Sequence, residues 1–316
     1  MKSDLRFTEL VAQFIGAVRQ VRLLQEEKTQ LSNFLSPNVI KNLTRDEDVL
    51  TPAERDISVL FCDVRGFSRK AESMSNDLKA LLESVRIALG MMANGILDRD
   101  GTIADFQGDA ALGFWGWPVE LELGPVPACR AALDIYRSFR RGTNDEESQL
   151  HGFSFGVGIA HGRAIAGQIG TSKQAKVGVF GPVVNQGSRL EGLTKQLGVP
   201  ICIDETTAEW VRQRIPPTQT RVRRLAKVFP KGMATALTVY ALLPPEHELP
   251  EMSETLIMLY DLALNAVIEG RWSEALPILQ RIPDEDGPKQ FLLAEMKRSD
   301  STPPTDWNGA FTLGSK

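Results

Sequence analysis

The chain has 316 residues, 42% hydrophobic and 24% charged, which supplies a real core for one large or two modest domains and excludes a disordered or fibrous chain. Lys and Arg number 36 against 40 Asp and Glu, a formal charge of −4, so no bulk positive charge recommends nucleic acid as a partner. Cys62, Cys129 and Cys202 are scattered without a CxxC, which argues against a disulfide framework or a cysteine zinc site. The charged N-terminus lacks the apolar core of a signal peptide, and no apolar run approaches the roughly 20 residues needed to cross a bilayer. The expectation is a soluble, cytoplasmic protein.

Residues 1–49 read as a helix and a possible coiled coil. One core position of a heptad frame carries Leu10, Ala17, Leu24 and Leu31, and the other carries Phe14, Val21, Lys28 and Leu35. A 3.5-residue repeat buries a seam against a partner helix, and the alternative is an amphipathic helix lying on its own domain. Residues 50–245 form the central domain. A nearly continuous apolar run over 57–62 predicts a buried strand ending in Asp63-Val64-Arg65-Gly66. Leu78, Leu81, Leu82, Val85, Leu89, Met92 and Ile96 then recur at helical spacing.

Two short strands, 102–106 and 110–114, flank a Gln107-Gly108-Asp109 turn and predict a hairpin. A helix over 127–141 follows, then strands 153–160 and 164–169 with a second hairpin turn at His161-Gly162, and a strand over 174–180. A helix over 184–197 is closed by Gly198, and Asp204 caps another over 205–215. Strands near 200–203, 221–228 and 236–242 complete the domain. The order β-α-β-β-α-β with later additions predicts an α+β fold of ferredoxin-like, palm-type arrangement. Residues 246–298 read as a helical appendage, and 299–316, with Thr302-Pro303-Pro304-Thr305, as a flexible tail.

Two carboxylates carry the first chemical signal. Asp63 ends a buried strand and Asp109 sits at a hairpin turn, where ligands can reach both; each is also an ordinary turn residue. Gly167-Gln168-Ile169-Gly170 lacks the spacing of a P-loop, and Gly156, Gly158 and Gly162 miss the dinucleotide-binding spacing by one place. His151, His161 and His247 have no metal-ligand spacing, and the Phe114–Trp117 cluster reads as core.

The segment Phe61-Cys62-Asp63-Val64-Arg65-Gly66-Phe67-Ser68 resembles the first metal motif of class III adenylyl and guanylyl cyclases. Phe106-Gln107-Gly108-Asp109-Ala110 resembles the second, and the run from Gly181 through Asn185 and Arg189 to Glu191 resembles the transition-state motif. The order and spacing of these segments, over about residues 50–245, make the resemblance specific. It implies a homodimeric nucleotidyl cyclase converting a nucleoside triphosphate to a 3′,5′-cyclic nucleotide and pyrophosphate.

By that resemblance, two divalent ions, Mg²⁺ or Mn²⁺, are held by Asp63, Asp109 and the backbone of Val64; hard oxygen ligands suit such ions beside a triphosphate. Arg65, Gly66, Phe67, Ser68 and Lys231 hold the triphosphate. Asn185 orients the ribose and Arg189 contacts the α-phosphate, four residues apart on one helix face. The Asp pair comes from one chain and the Asn/Arg pair from the other, so each dimer holds composite sites.

The family reads its base with two positions, here Asp105 and Gly178. The first is Lys in adenylyl and Glu in guanylyl cyclases; the second is Asp or Thr for adenine and often Cys for guanine. An ionised Asp105 only accepts hydrogen bonds, which suits guanine N1–H or uracil N3–H and opposes adenine N1. The base therefore stays open among ATP, GTP, UTP and CTP. A pyrimidine cyclase of anti-phage signalling is one alternative, and a cyclase-homology domain used for dimerisation or regulation without catalysis is another.

Overall fold

The computed structural model describes residues 13–22, 35–43, 47–67, 71–72, 76–145, 148–171, 173–230 and 235–313. Its strands are β1 (Ala53–Arg65), β2 (Thr102–Gln107), β3 (Ala110–Trp115), β4 (Ser154–Gly170), β5 (Ala175–Phe180), β6 (Ile201–Ile203), β7 (Arg221–Phe229), β8 (Leu237–Leu243) and β9 (Phe311–Thr312). Its helices are α1 (13–22), α2 (Pro37–Leu43), α3 (Leu78–Leu97), α4 (Val126–Asn144), α5 (Pro182–Leu197), α6 (Glu205–Arg214), α7 (Glu254–Ile268), α8 (Trp272–Leu279) and α9 (Gly287–Arg298).

One sheet runs β2-β3-β1-β4-β6-β8-β7-β9, with β5 paired to β4. The first four strands and the two helices α3 and α4 form the expected βαββαβ palm. Side chains alternate across a strand, and β1 separates two cores by this rule. Leu60, Cys62 and Val64 face a core with α3, α4 and α6, whereas Ile57 and Val59 face one with α5 and the C-terminal helices. By length and composition alone α3 could cross a membrane. In the fold its Ala88, Met92 and Ile96 are buried beneath the sheet.

Close backbone approach sets α5 on the sheet. A Cβ at Gly158 of β4 would lie 2.2 Å from the Glu191 nitrogen and the Gly187 oxygen of α5. One at Gly187 would lie 2.7 Å from Val59. Both positions need glycine for space, so the helix rests directly on β1 and β4.

Three expectations are corrected. The hairpin turn at His161-Gly162 does not form: β4 runs unbroken through it, with His161 opposite Ser58 and Gly162 opposite Ile57. The chain turns instead at 171–174, where Thr171 N–H donates to the Gln174 carbonyl at 2.8 Å. The flexible tail from Ser299 returns to the domain. Trp307 packs edge-on to Trp272 with centroids 5.1 Å apart, and β9 adds to β7 in parallel.

The heptad frame is described only over 13–22; Leu10, Leu24, Lys28 and Leu31 lie outside the described residues. Phe14, Ile15, Val18 and Val21 there are 51–71% exposed. Leu35, expected on the seam, packs on the domain core instead. There Ser36 Oγ accepts from Ile103 N–H at 2.8 Å, tying the segment to the β2 edge.

The helices after residue 245 share the α5-side core rather than forming a separate one. Their anchor is a buried ion pair: Arg223 of β7 donates to both Asp286 oxygens at 2.6 and 2.9 Å, and its guanidinium lies 4.0 Å from the Tyr260 ring centroid.

Candidate active site

Register brings the two predicted metal carboxylates together. Asp63 of β1 lies opposite Ala110 of β3, the residue after Asp109. Antiparallel neighbours sit about 5 Å apart, so the two acids share one edge of the palm. Gly108, at φ +65°, takes the left-handed turn that places Asp109 there. Partial burial raises the Asp109 carboxyl above its ordinary pKa. A pair of carboxylates, one partly desolvated, suits a hard cation that keeps phosphate and water ligands. No group of three or more His, Cys, Asp or Glu among the described residues is arranged to hold a metal.

Beyond Asp63, the Val64 side chain is buried in the α3/α4 core, so only its backbone can serve a ligand. Gly66, at φ +81°, turns the chain into the segment containing Phe67. The Arg65 side chain is committed elsewhere: it donates to the Val199 carbonyl at 3.0 Å. Burial lowers its pKa, opposed by the nearby Glu191. The backbone of Arg65 is the last of β1, opposite Ser154 of β4. Ser68 and Lys231 lie outside the described residues.

Asn185 and Arg189 occupy the exposed side of α5, opposite the buried Val183, Gly187 and Leu190. Asp63 shares the strand parity of Val59 and Phe61, so α5 covers the sheet face on which Asp63 lies, and Asn185 and Arg189 are on the helix side away from the sheet.

Asp105 is opposite Leu112, which is opposite Phe61, and so lies on the same sheet face as Asp63. Two strand spacings and one two-residue step separate Asp105 from Asp63, about 12 Å between Cα atoms. Its carboxylate is ion-paired with Lys176 of β5. At Gly178, expected from the sequence to be the second base position, a Cβ would meet only Ile169, at 3.6 Å.

Sequence reasoning missed Lys176, whose only signal was strand alternation from Gly178. It also missed the buried Asp204, which accepts from Thr207 N–H at 2.8 Å, His161 N–H at 3.1 Å and Gln186 Nε2 at 2.9 Å. Burial raises the Asp204 pKa. The capping role of Asp204 was visible in sequence; its links to β4 and α5 were not. His161 is a second-strand partner, with Nδ1 2.9 Å from Ser58 Oγ.

A ferredoxin-like palm with paired carboxylates at its strand ends and an Asn/Arg helix beside it defines a nucleotide-cyclase type of domain. Residues 49–243 match the sequence model of the adenylate and guanylate cyclase catalytic domain, and the chain belongs to that family. An adenylate cyclase from Anabaena cylindrica is 30% identical over 214 residues, covering 65% of this chain and 39% of the relative. Adenylate cyclase 1 of Rhizobium meliloti is 26% identical over 188 residues, 59% of this chain and 27% of that protein. The chain thus spans well under half the length of these relatives. Among solved structures, a bacterial light-regulated adenylyl cyclase matches with TM-score 0.61 at 21% identity, covering 72% of this chain and 63% of the other. The adenylyl cyclase CyaB from P. aeruginosa matches with TM-score 0.52 at 21% identity, 63% and 100% covered. At these identities the structures establish the palm fold.

Proposed function

We propose that the chain is a homodimeric nucleotidyl cyclase, releasing pyrophosphate from a nucleoside triphosphate as a 3′,5′-cyclic nucleotide forms. The observation that carries this reading is the register that sets Asp63 opposite Ala110, next to the turn that carries Asp109, at one edge of the palm. In the reaction the ribose 3′-oxygen bonds to the α-phosphorus, the bond from that phosphorus to the β-phosphate bridging oxygen breaks, and the hydroxyl proton leaves to solvent. Asp63, Asp109 and the Val64 backbone are the groups that would hold Mg²⁺ or Mn²⁺. Such ions, when bound, supply charge neutralisation on the triphosphate and acidify the attacking hydroxyl.

The protein's own groups do the rest. The loop backbone from Val64 to Ser68, with Lys231, receives the β- and γ-phosphates. Asn185 holds the ribose, and Arg189 brings a fixed charge and planar donors to the α-phosphate. In this reading Asn185 and Arg189, on the exposed side of α5, serve the Asp pair of a second copy. The β4–β5 arm supports that pairing with Phe180, 70% exposed, opposite Ile165, 43% exposed. The apolar stripe on α1 supports it from the N-terminal side. Relatives named as adenylate cyclases favour ATP as substrate.

The test is incubation of purified protein with ATP, GTP, UTP and CTP in turn, with Mg²⁺ or Mn²⁺, and mass spectrometry of the products. A cyclic mononucleotide is expected. None from any of the four with either metal refutes the proposal.

A further inference from the structure

We propose that Lys176 is a base-specificity residue, the donor half of a pair whose acceptor half is Asp105. The inference deepens the cyclase reading and rests on it. Neither residue alone matches a known code for adenine in this fold, but together they carry both hydrogen-bonding characters. Asp105 Oδ2 and Lys176 Nζ are ion-paired although β2 and β5 are not neighbours: β3, β1 and β4 stand between them in sheet order. The β4–β5 arm therefore brings Lys176 across to Asp105.

The strand pattern explains why position 176 does this work. Val177 and Val179 turn toward the α5-side core, so Lys176, Gly178 and Phe180 share the opposite face. Gly178 offers no side chain, and the space where its Cβ would stand is open apart from Ile169. The first side chain on that face able to hydrogen-bond a base is Lys176. The pair remains accessible, with side chains 63% and 36% exposed. Exposed ion pairs add little to stability, so this one can exchange partners with a ligand at low cost.

The chemistry changes what Asp105 permits. A carboxylate alone accepts only, and adenine N1 is itself an acceptor. Beside it, the Lys176 ammonium supplies three donors and no acceptor. The pair then matches the adenine edge: N6–H donates to Asp105 while Lys176 donates to N1. The ligand is a nucleoside triphosphate whose base edge sets an amino donor beside a ring-nitrogen acceptor, with adenine the committed case.

The test separates this inference from the cyclase reading by using 3′-deoxynucleoside triphosphates, which lack the attacking hydroxyl and cannot cyclise. Isothermal titration calorimetry with the adenine, guanine, uracil and cytosine analogues, in Mg²⁺, gives four affinities for the full chain, Lys176→Ala, Lys176→Arg and Asp105→Ala. The full chain is expected to prefer the adenine analogue. Lys176→Ala should weaken it about tenfold or more relative to the other three, because an unpaired polar edge is rejected strongly. Lys176→Arg should recover part of that preference.

Equal weakening of all four analogues would mean that Lys176 only tethers the β5 arm, and would overturn the inference. So would an unchanged affinity ratio, the absence of an adenine preference in the full chain, or no binding at all. Selective binding by a chain that turns over no ordinary triphosphate would sustain the Lys176 role and sink the cyclase reading alone. Turnover with a ratio insensitive to Lys176→Ala and Asp105→Ala would do the reverse.

Discussion

Gly158→Ala is expected to damage the protein out of proportion to its size. The new methyl would lie 2.2 Å from two backbone atoms of α5, the Glu191 nitrogen and the Gly187 oxygen, and 2.8 Å from Glu191 Cα. Ordinary non-bonded contacts lie near 3.5 Å, so relief needs a shift of about 1 Å between helix and sheet. Neither contact is a flexible side chain, so the helix itself must move. Overpacking of this kind costs about 1–3 kcal/mol. The same shift displaces Asn185 and Arg189, and misplacement by about 1 Å can cost on the order of 100-fold in rate. Urea unfolding and initial rates of cyclic-nucleotide formation measure the two effects. Gly90→Ala is the control: nothing lies within 4 Å of its Cβ on α3. There the exchange should stabilise by about 0.5–1 kcal/mol through helix propensity. A Gly158→Ala protein with an unchanged midpoint and a turnover number within about twofold of the parent would refute the packing argument.

Three further outcomes are expected. Asp63→Ala and Arg189→Ala should each be inactive, and after subunit exchange half of the dimers are mixed with one intact site in two, giving about one quarter of parent activity; a verified mixed dimer without turnover would refute shared sites. Asp286→Ala strands the buried Arg223 charge and removes the cap that accepts from Lys289 N–H at 2.8 Å, so it should cost about 3–5 kcal/mol in urea unfolding; a loss below about 1 kcal/mol would contradict that role. Burial lowers the His161 pKa against the opposing pull of Asp204 and Asp56. The folded state therefore disfavours its protonation: its share of stability is whole above the unfolded pKa of about 6.5 and declines as pH falls below that value. Unfolding midpoints at neutral and mildly acid pH should show this decline, and His161→Gln should flatten it; equal slopes in both proteins would count against the histidine.

The palm was legible because its signals are local. The apolar run of β1, the helical spacing of α3 and the glycine turn before Asp109 each act within a few residues, and antiparallel pairing then carries Asp63 to Asp109. The error at His161-Gly162 came from reading a glycine as a turn where it serves mid-strand opposite Ile57. Left-handed φ at Gly167 and Gly170 lies farther on, beside the true turn. The tail misled for a related reason: Thr302-Pro303-Pro304-Thr305 is loop-like locally, but Trp307, Phe311 and Leu313 beyond it supply apolar anchors for the sheet. The Asp105–Lys176 contact was illegible because it joins strands separated by three others, and only the folded arm brings them together.

The position of α5 ties these features to activity. Beneath it, Gly158 and Gly187 allow direct contact with β4 and β1. At its end, a Cβ on Gly198 would stand 2.8 Å from Gly287 Cα, so the cap of α5 abuts the start of α9. Asp286, just before Gly287, is held by Arg223 of the sheet. The helix bearing Asn185 and Arg189 is thus fixed from below by the palm and from behind by the C-terminal segment. Its exposed face can then be presented as a rigid half-site. In a two-fold dimer an isologous surface meets its own copy, so a helix held in this way would meet the partner with Asn185 and Arg189 in a fixed position.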